Sequence, residues 1–376
     1  MAELIPQADP RASYLADKAA IDAAVAGVLA SGRYILGDEV TAFEREFAAF
    51  QDSEFGVGVA NGTAALSLGL RALGVGPGDA VATVSHTAVA TVAAIELVGA
   101  VPVLIDVDPY HTLEPDLFAA TVRSPPGGRP IKAVIPVHLY GQAADMPAIA
   151  ETARRHGIAI LEDASQAHGA ALGGAVVGHW GDITAYSLYP TKNLGAFGDG
   201  GVLTTRDEGL AAKLRSLREY GWGGRRYISE IAGDNSRLDE LQAAILRIKL
   251  RRLAADNRRR GEIAAVYDAA LVGSPIETPL RRQGARHVFH QYVVATDQRD
   301  RLREALRLDG IGTNIHYPEP IHLQPAYAGR VAVGESGCVR TERAAARILS
   351  LPMFPQLGDA EVSRVAEALK RFSASL

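Results

Sequence analysis

A single cysteine, Cys338, stands among 376 residues and has nothing in the chain to pair with. That excludes an internal disulfide framework and a multi-cysteine metal site, and it fits a reducing compartment. Cys338 itself reads as a small buried residue at the entry to a helix. Neither sign of charge dominates: 39 basic residues against 43 acidic ones leave a formal net charge of -4. Such a balance gives no broad field for nucleic acid or an anionic membrane, so any anion is expected to be bound locally. Long apolar runs are missing too. The nearest, Ala88 to Ile105, is interrupted by Glu96, Gly99 and Pro102 and reads as a helix turning into a strand rather than a span. The opening "MAELIPQADP" has neither the basic start nor the apolar core of a signal peptide, and a soluble, cytoplasmic protein is expected. His287 and His290 in "HVFHQY" have no nearby carboxylate or thiol partner, so no metal site is expected, and both are assigned to a strand.

What is present is ordinary globular composition, 48% hydrophobic and 22% charged, over a length that exceeds one usual domain. "NGTAALSLGLRALG", "AAIELVGAVPVLIDVDP" and "MPAIAETARRHGIAILEDASQ" each show a helical stretch stopped by glycine, and the last two run on into apolar strands. "KAVIPVHLYG", "DITAYSLYP" and "GGVLTT" add further strands. Apolar strands separated by helices predict an α/β fold with a mostly parallel sheet covered by helices on both faces. From Arg237 to Leu271 the pattern is helical and basic, and the arginines of "RRLAADNRRR" read as its solvated face. Beyond it, strand and helix alternate in a compact smaller α+β unit. The expected division is 1–255 for the large domain and 256–376 for the small one.

The stretch "YPTKNLGAFGDGG" sets Lys192 on a glycine-rich bend between two strands. A lysine that attacks an aldehyde must shed its proton and hold the product in one orientation, while a lysine on a turn is otherwise solvent-facing. Asp163, in "ILEDASQAHG", closes an apolar strand where α/β proteins place ligand crevices. Its carboxylate either faces a cationic ring nitrogen or caps the next turn. Gln166, a helical step beyond, either reaches a ring oxygen or lies exposed. Asn61-Gly62-Thr63-Ala64 opens a helix with small residues, so Gly62 and Thr63 offer free N–H groups, a hydroxyl and the positive helix end to an anion. Ser187 is either an ordinary strand serine or a phosphate ligand beside Lys192.

Together these residues resemble the sugar aminotransferase family known as DegT/DnrJ/EryC1/StrS, pyridoxal-phosphate enzymes of fold type I. The resemblance runs through "SGRYILGDEVTAFEREFAAF", "NGTAALSLGLRALGVGPGD", "EDASQAHGA", "YSLYPTKNLGAFGDGG", "NSRLDELQAAIL", "GIGTNIHYP" and "LSLPMFPQL" in family order. It implies that Lys192 carries pyridoxal 5'-phosphate as an internal aldimine and serves as base and acid, that Asp163 pairs with the pyridine nitrogen, and that Gln166 contacts the ring hydroxyl. Gly62, Thr63 and Ser187 would hold the phosphate with Asn235 of the neighbouring subunit, since the family forms homodimers with shared sites. Arg226, His316 and Tyr317 match positions that reach the substrate. One departure stands out: Ala88 replaces the aromatic residue that usually stacks on the ring, and His86, two residues earlier on the same face of an extended segment, is expected to cover the ring instead. The implied reaction is ping-pong transamination from L-glutamate to a dTDP- or UDP-linked keto sugar. The opening residues look closer to members that act at C3 than at C4, with a 4-keto substrate as the alternative and a non-catalytic regulator as a further one. Lys192 argues against the dehydratases of the family, which carry histidine there.

Overall fold

The computed structural model describes residues 4–376 and centres on an eight-stranded sheet. In space its strands are Phe55–Val59, Gly201–Thr205, Ile183–Ser187, Ala159–Asp163, Ile131–Val134, Ala80–Val84, Val101–Ile105 and Ala332–Val333. Gly201–Thr205 runs antiparallel to both of its neighbours, and every other pairing is parallel. The expected mostly parallel α/β sheet is therefore present, with one strand reversed.

Alternation along each strand sends adjacent residues to opposite layers. Leu161 packs with Leu66, Leu70 and Leu203 on one face, while Ile160 packs with Met146, Ile149 and Val134 on the other. Both faces are covered by helices, so the strands are apolar on both sides. The stretch Ala88 to Ile105 resolves into the helix Val89–Leu97, a turn at Gly99 with φ +75°, and the strand Val101–Ile105. Among the described residues no helix is long and apolar enough to cross a membrane, and no group of histidine, cysteine and acidic side chains is placed to hold a metal.

The helix Glu240–Ala270 ties the molecule together. At its start the buried Glu240 carboxylate accepts from the backbone N–H groups of Gly37, Glu39 and Val40, which satisfies the donors that open the helix Asp38–Phe50 and opposes its positive end. Leu246, Leu250 and Leu253 pack in the core beside Phe43 and Phe47. Ile263, Ala264 and Tyr267 belong to a separate core with Leu302, Leu349, Val365 and Leu369. That second core is built on the antiparallel pair Tyr292–Ala295 and Ile348–Leu351, flanked by the helices Arg299–Leu308 and Asp359–Ser373. Two segments run between the units: Ile5 packs in the second core, and Ala332–Val333 adds a strand to the edge of the large sheet.

Two local expectations are corrected. Arg260 is not on a solvated face; it is buried and donates to the carbonyls of Phe289 and Met353, while Arg251 and Arg258 are exposed. His287 and His290 precede the strand, which begins at Tyr292. Their segment instead turns its backbone toward the 139–141 turn, with Val288 N–H bonded to the Gly141 carbonyl and Gln291 N–H to that of Tyr140.

Candidate active site

A cleft of about 600 Å³ opens at the carboxyl ends of the parallel strands and is lined by Asn61, Gly62, Thr63, Ala88, Thr91, Asp163, Gln166, Ser187 and Lys192, among others. Asp163 and Ser187 are the last residues of their strands, and Asn61 closes the turn after another, so the sheet itself brings these positions together.

Lys192 lies in the 188–200 loop that joins Ile183–Ser187 to Gly201–Thr205. The loop folds back so closely that a Cβ on Gly195 would sit 2.4 Å from the Pro190 carbonyl oxygen, which only glycine avoids. Side chains from the long helix fasten it: Lys249 donates to the Gly195 carbonyl, and Gln242 Oε1 accepts from Phe197 N–H at 2.9 Å. Burial lowers the Lys192 ammonium from 10.5 to about 8, with the Asp163 charge acting in the opposite direction. An amine so placed is available in neutral form near physiological pH.

Glu162 and Asp163 are adjacent acids with opposite destinations. Glu162 turns away from the cleft and accepts from the N–H groups of Gly178, Trp180 and Gly181 and from His138 Nε2. Asp163 faces the cleft. Its Oδ1 accepts from Ser165 N–H at 3.1 Å and its Oδ2 from the Thr91 hydroxyl at 3.0 Å. Because Thr91 gives its proton to the carboxylate, the Thr87 hydroxyl 3.1 Å away donates to Thr91. Neither threonine is marked by a motif. Their signal was the i,i+4 spacing across the start of Val89–Leu97, which only a correct helix boundary reveals.

The Gly62–Ala72 helix begins at Asn61, whose extended backbone and side chain, bonded to Ala64 N–H at 2.9 Å, form an N-cap. The N–H groups of Gly62 and Thr63 precede the first intrahelical bond and have no protein partner among the described residues. A Cβ on Gly62 would lie 2.7 Å from Ser187 Cβ, so glycine lets helix start and serine approach each other. This cradle for a phosphate, the amine of Lys192 and the carboxylate of Asp163 fit pyridoxal phosphate, with one protein group for each of its phosphate, aldehyde and ring nitrogen.

Gln166 lines the cleft with both ends engaged: Oε1 accepts from Tyr140 N–H at 2.8 Å, and Nε2 donates to the Tyr317 hydroxyl at 3.1 Å. Tyr317 is thus brought to the site edge, and burial pushes its phenol up to about 12. His316 Nδ1 instead pairs with Ser350 Oγ at 2.8 Å. His86 is not brought to the cleft. It is buried, its Nε2 lies 2.7 Å from the Tyr140 hydroxyl, and its ring neighbours His111. The segment bends after Val84 instead of staying extended, so residue 88 lines the cleft and residue 86 does not. Asn235 and Arg226 are exposed and outside the cleft of their own chain; the Arg226 guanidinium lies over the Tyr227 ring. Cys338 is buried ahead of the helix Val339–Arg347, with its thiol pushed up to about 12 by burial, and is no nucleophile.

The model of the DegT/DnrJ/EryC1/StrS aminotransferase family matches residues 16–370. The chain is 46% identical over 373 residues to dTDP-3-amino-3,4,6-trideoxy-alpha-D-glucose transaminase of Streptomyces venezuelae, covering 98% of this chain and 96% of that one. It is 42% identical over 371 residues to UDP-N-acetyl-3-dehydro-alpha-D-glucosamine 3-aminotransferase of Acidithiobacillus ferrooxidans, covering 98% and 97%. Among solved structures it is similar to S. venezuelae DesV in complex with ketimine intermediate, with a TM-score of 0.94, 45% identity and 99% of each chain covered.

Proposed function

The chain belongs to the DegT/DnrJ/EryC1/StrS aminotransferase family, and from that premise we propose that it moves an amino group from L-glutamate to the 3-keto carbon of a nucleotide-linked sugar in two half-reactions. The observation that carries this reading is the convergence of Lys192, Asp163, Ser187 and the open helix start at Gly62-Thr63 on one cleft. The choice of carbon 3 is supported by the relatives above, both named for chemistry at that position. One of them acts on a dTDP sugar and the other on a UDP sugar, so either nucleotide fits the reading.

Pyridoxal phosphate, when bound, supplies an electron sink for the carbon that bears the amine. The chain's own residues do the rest. Gly62 and Thr63 N–H, the Thr63 hydroxyl and Ser187 hold the phosphate at the positive end of a helix. Asp163, steadied by Thr91 and Ser165, presents a carboxylate to the ring nitrogen. Lys192 Nζ would take up and give back the proton of the carbon that bears the amine, because its lowered proton affinity lets it work as base and then as acid near pH 8. In this proposal Asn235 and Arg226 act in the site of a second copy of the chain, which accounts for their exposure in the single chain.

Incubation with pyridoxal phosphate followed by borohydride should leave a pyridoxyl mass on Lys192 and on no other lysine at stoichiometric yield. Lys192→Ala should take up no label; a wild-type chain that stays unlabelled refutes the reading. Among 3-keto and 4-keto nucleotide sugars offered with the pyridoxamine form, only the 3-keto compounds should be aminated, and exclusive turnover of 4-keto compounds moves the assignment to carbon 4.

A further inference from the structure

Behind Lys192 a set of buried and half-buried polar groups forms a chain. Gln7 Nε2 donates to Gln291 Oε1 at 2.6 Å. Gln291 Nε2 lies 3.4 Å from His290 Nε2, and His290 Nδ1 lies 3.2 Å from Asn193 Oδ1. Asn193 Nδ2 donates to Asn257 Oδ1 at 2.8 Å and to the Val288 carbonyl at 2.9 Å, and Asn257 Nδ2 passes on to the His168 carbonyl at 2.9 Å.

The direction of this chain is forced. Asn193 Nδ2 faces two oxygens, so Asn193 Oδ1 is the atom that faces His290 and must accept. His290 Nδ1 therefore carries the proton. A neutral ring then has a bare Nε2, which accepts from the Gln291 amide, and the Gln291 oxygen is left to receive Gln7. From Gln7 to Asn193 every donor points toward the residue next to Lys192, and Asn193 in turn donates outward to Asn257 and the Val288 carbonyl, which anchor it. The side-chain links lie on four separate pieces of the fold: the N-terminal arm through Gln7, the segment entering the second unit through His290 and Gln291, the Lys192 loop through Asn193, and the long helix through Asn257.

We propose that this one-way relay, with neutral His290 as its obligatory link and Asn193 as the positioning residue at its end, holds the backbone beside Lys192 so that the amine faces the cleft. The inference rests on the reading of Lys192 as the amine that takes the cofactor. Burial first, and then the neighbouring Lys192 and Arg260 cations with His316 and His168 beside them, keep the His290 ring well below its ordinary proton affinity. Protonation would place an N–H against the Gln291 amide hydrogens and break the chain there. Around Lys192 itself stand the Asp163 carboxylate and the rings of His168, His290 and His316.

The test pairs His290→Phe, which keeps a ring and removes both nitrogens, with His290→Asn, whose amide N–H replaces Nδ1–H. Two readouts are taken on cofactor-free protein: the dissociation constant for pyridoxal phosphate, and the pH midpoint of the rate at which Lys192 captures it, trapped with borohydride and counted by mass. Wild type should show a midpoint near the lowered Lys192 value of about 8. In His290→Phe the midpoint should rise toward 10.5, the ordinary lysine value, and affinity should fall about tenfold, the size expected when a buried acceptor loses its donor. His290→Asn should recover most of both effects. A folded His290→Phe whose midpoint stays at the wild-type value overturns the relay, even if its affinity falls. Should that variant not fold, Gln7→Leu at the partly exposed end must move the midpoint the same way by a smaller amount, and an unmoved midpoint overturns the relay. Wild-type protein that captures no pyridoxal phosphate at Lys192 overturns the functional reading and the relay with it, whereas wild-type capture with unmoved variants overturns the relay alone.

Discussion

At the scale of single residues, the cleft is a set of side chains whose chemistry depends on hidden partners. Asp163 is only 4% exposed, and its carboxylate is held by two donors from within the chain. Thr91→Val removes one of them at constant shape. Losing a bond to a charged group is worth roughly 1.5–3 kcal/mol, so kcat should fall about tenfold or more, with Thr91→Ser retaining most activity; an active Thr91→Val would show that Ser165 suffices. His86→Ala should lower stability but leave cofactor affinity within about twofold, because the ring serves Tyr140 rather than the cleft and its loss acts through packing. A titration of pyridoxal phosphate into that variant decides the matter. The places of Lys192, Asp163, Ser187 and Gly62-Thr63 at element ends and bends were legible from local rules, but each had an ordinary alternative there, and only the family resemblance joined them into one site. Asn193, His290, Thr91 and Lys249 were not legible, since their roles come from partners far away in the chain. The pairing of Asn193 with Asn257 and Val288 has no sequence periodicity behind it.

At the scale of elements, the helix Gly62–Ala72 shows how a short capped segment makes a binding site. Its apolar face packs under the sheet while its first turn is left open to the cleft. Gly62→Ala leaves the helix propensity improved, yet it drives a methyl group to within 2.7 Å of Ser187 Cβ. The expected outcome is weaker pyridoxal phosphate binding, by about tenfold or more given the cost of overpacking, without loss of helix content by circular dichroism. The strands and most helices were readable from glycine stops and apolar runs, as at Gly157 with φ +63° between Met146–Arg155 and Ala159–Asp163. The bend after Val84 was not, because nothing in "SHTAVAT" distinguishes an extended run from a turn into a helix. We propose that the chain divides near residue 255. The division falls inside one unbroken helix, and the support for it is the change of packing partners between Leu253 and Ile263 rather than any break in the backbone.

At the scale of the whole molecule, stability should depend steeply on acid. Burial holds the rings of His86, His168 and His287 at about 3 and those of His111 and His316 at about 4. In an unfolded chain they take up protons near 6.5, so between 6.5 and 4 the unfolded state binds more protons than the native state. Stability is therefore intact above 6.5 and is lost as pH falls, at up to about 1.4 kcal/mol per pH unit for each ring. A urea midpoint unchanged between pH 7.5 and 5.5 would contradict this. Assembly makes a second prediction at this scale. If Asn235 serves the partner's cofactor, Lys192→Ala and Asn235→Ala proteins, each of low activity, should regain activity when unfolded and refolded together, since mixed dimers contain one site with neither substitution. Additive low activity would show that Asn235 does not act in the partner's site.

The reversed strand Gly201–Thr205 bears on all three scales. Had it run parallel to Ile183–Ser187, the chain would have needed a crossover to return to the starting edge of the sheet, and residue 192 would have been carried away from the cleft on that crossover. Because the strand comes straight back, residues 188–200 leave and re-enter the sheet at the same end. Lys192 is thus on a round trip, tethered on both sides to neighbouring strands at one end of the sheet.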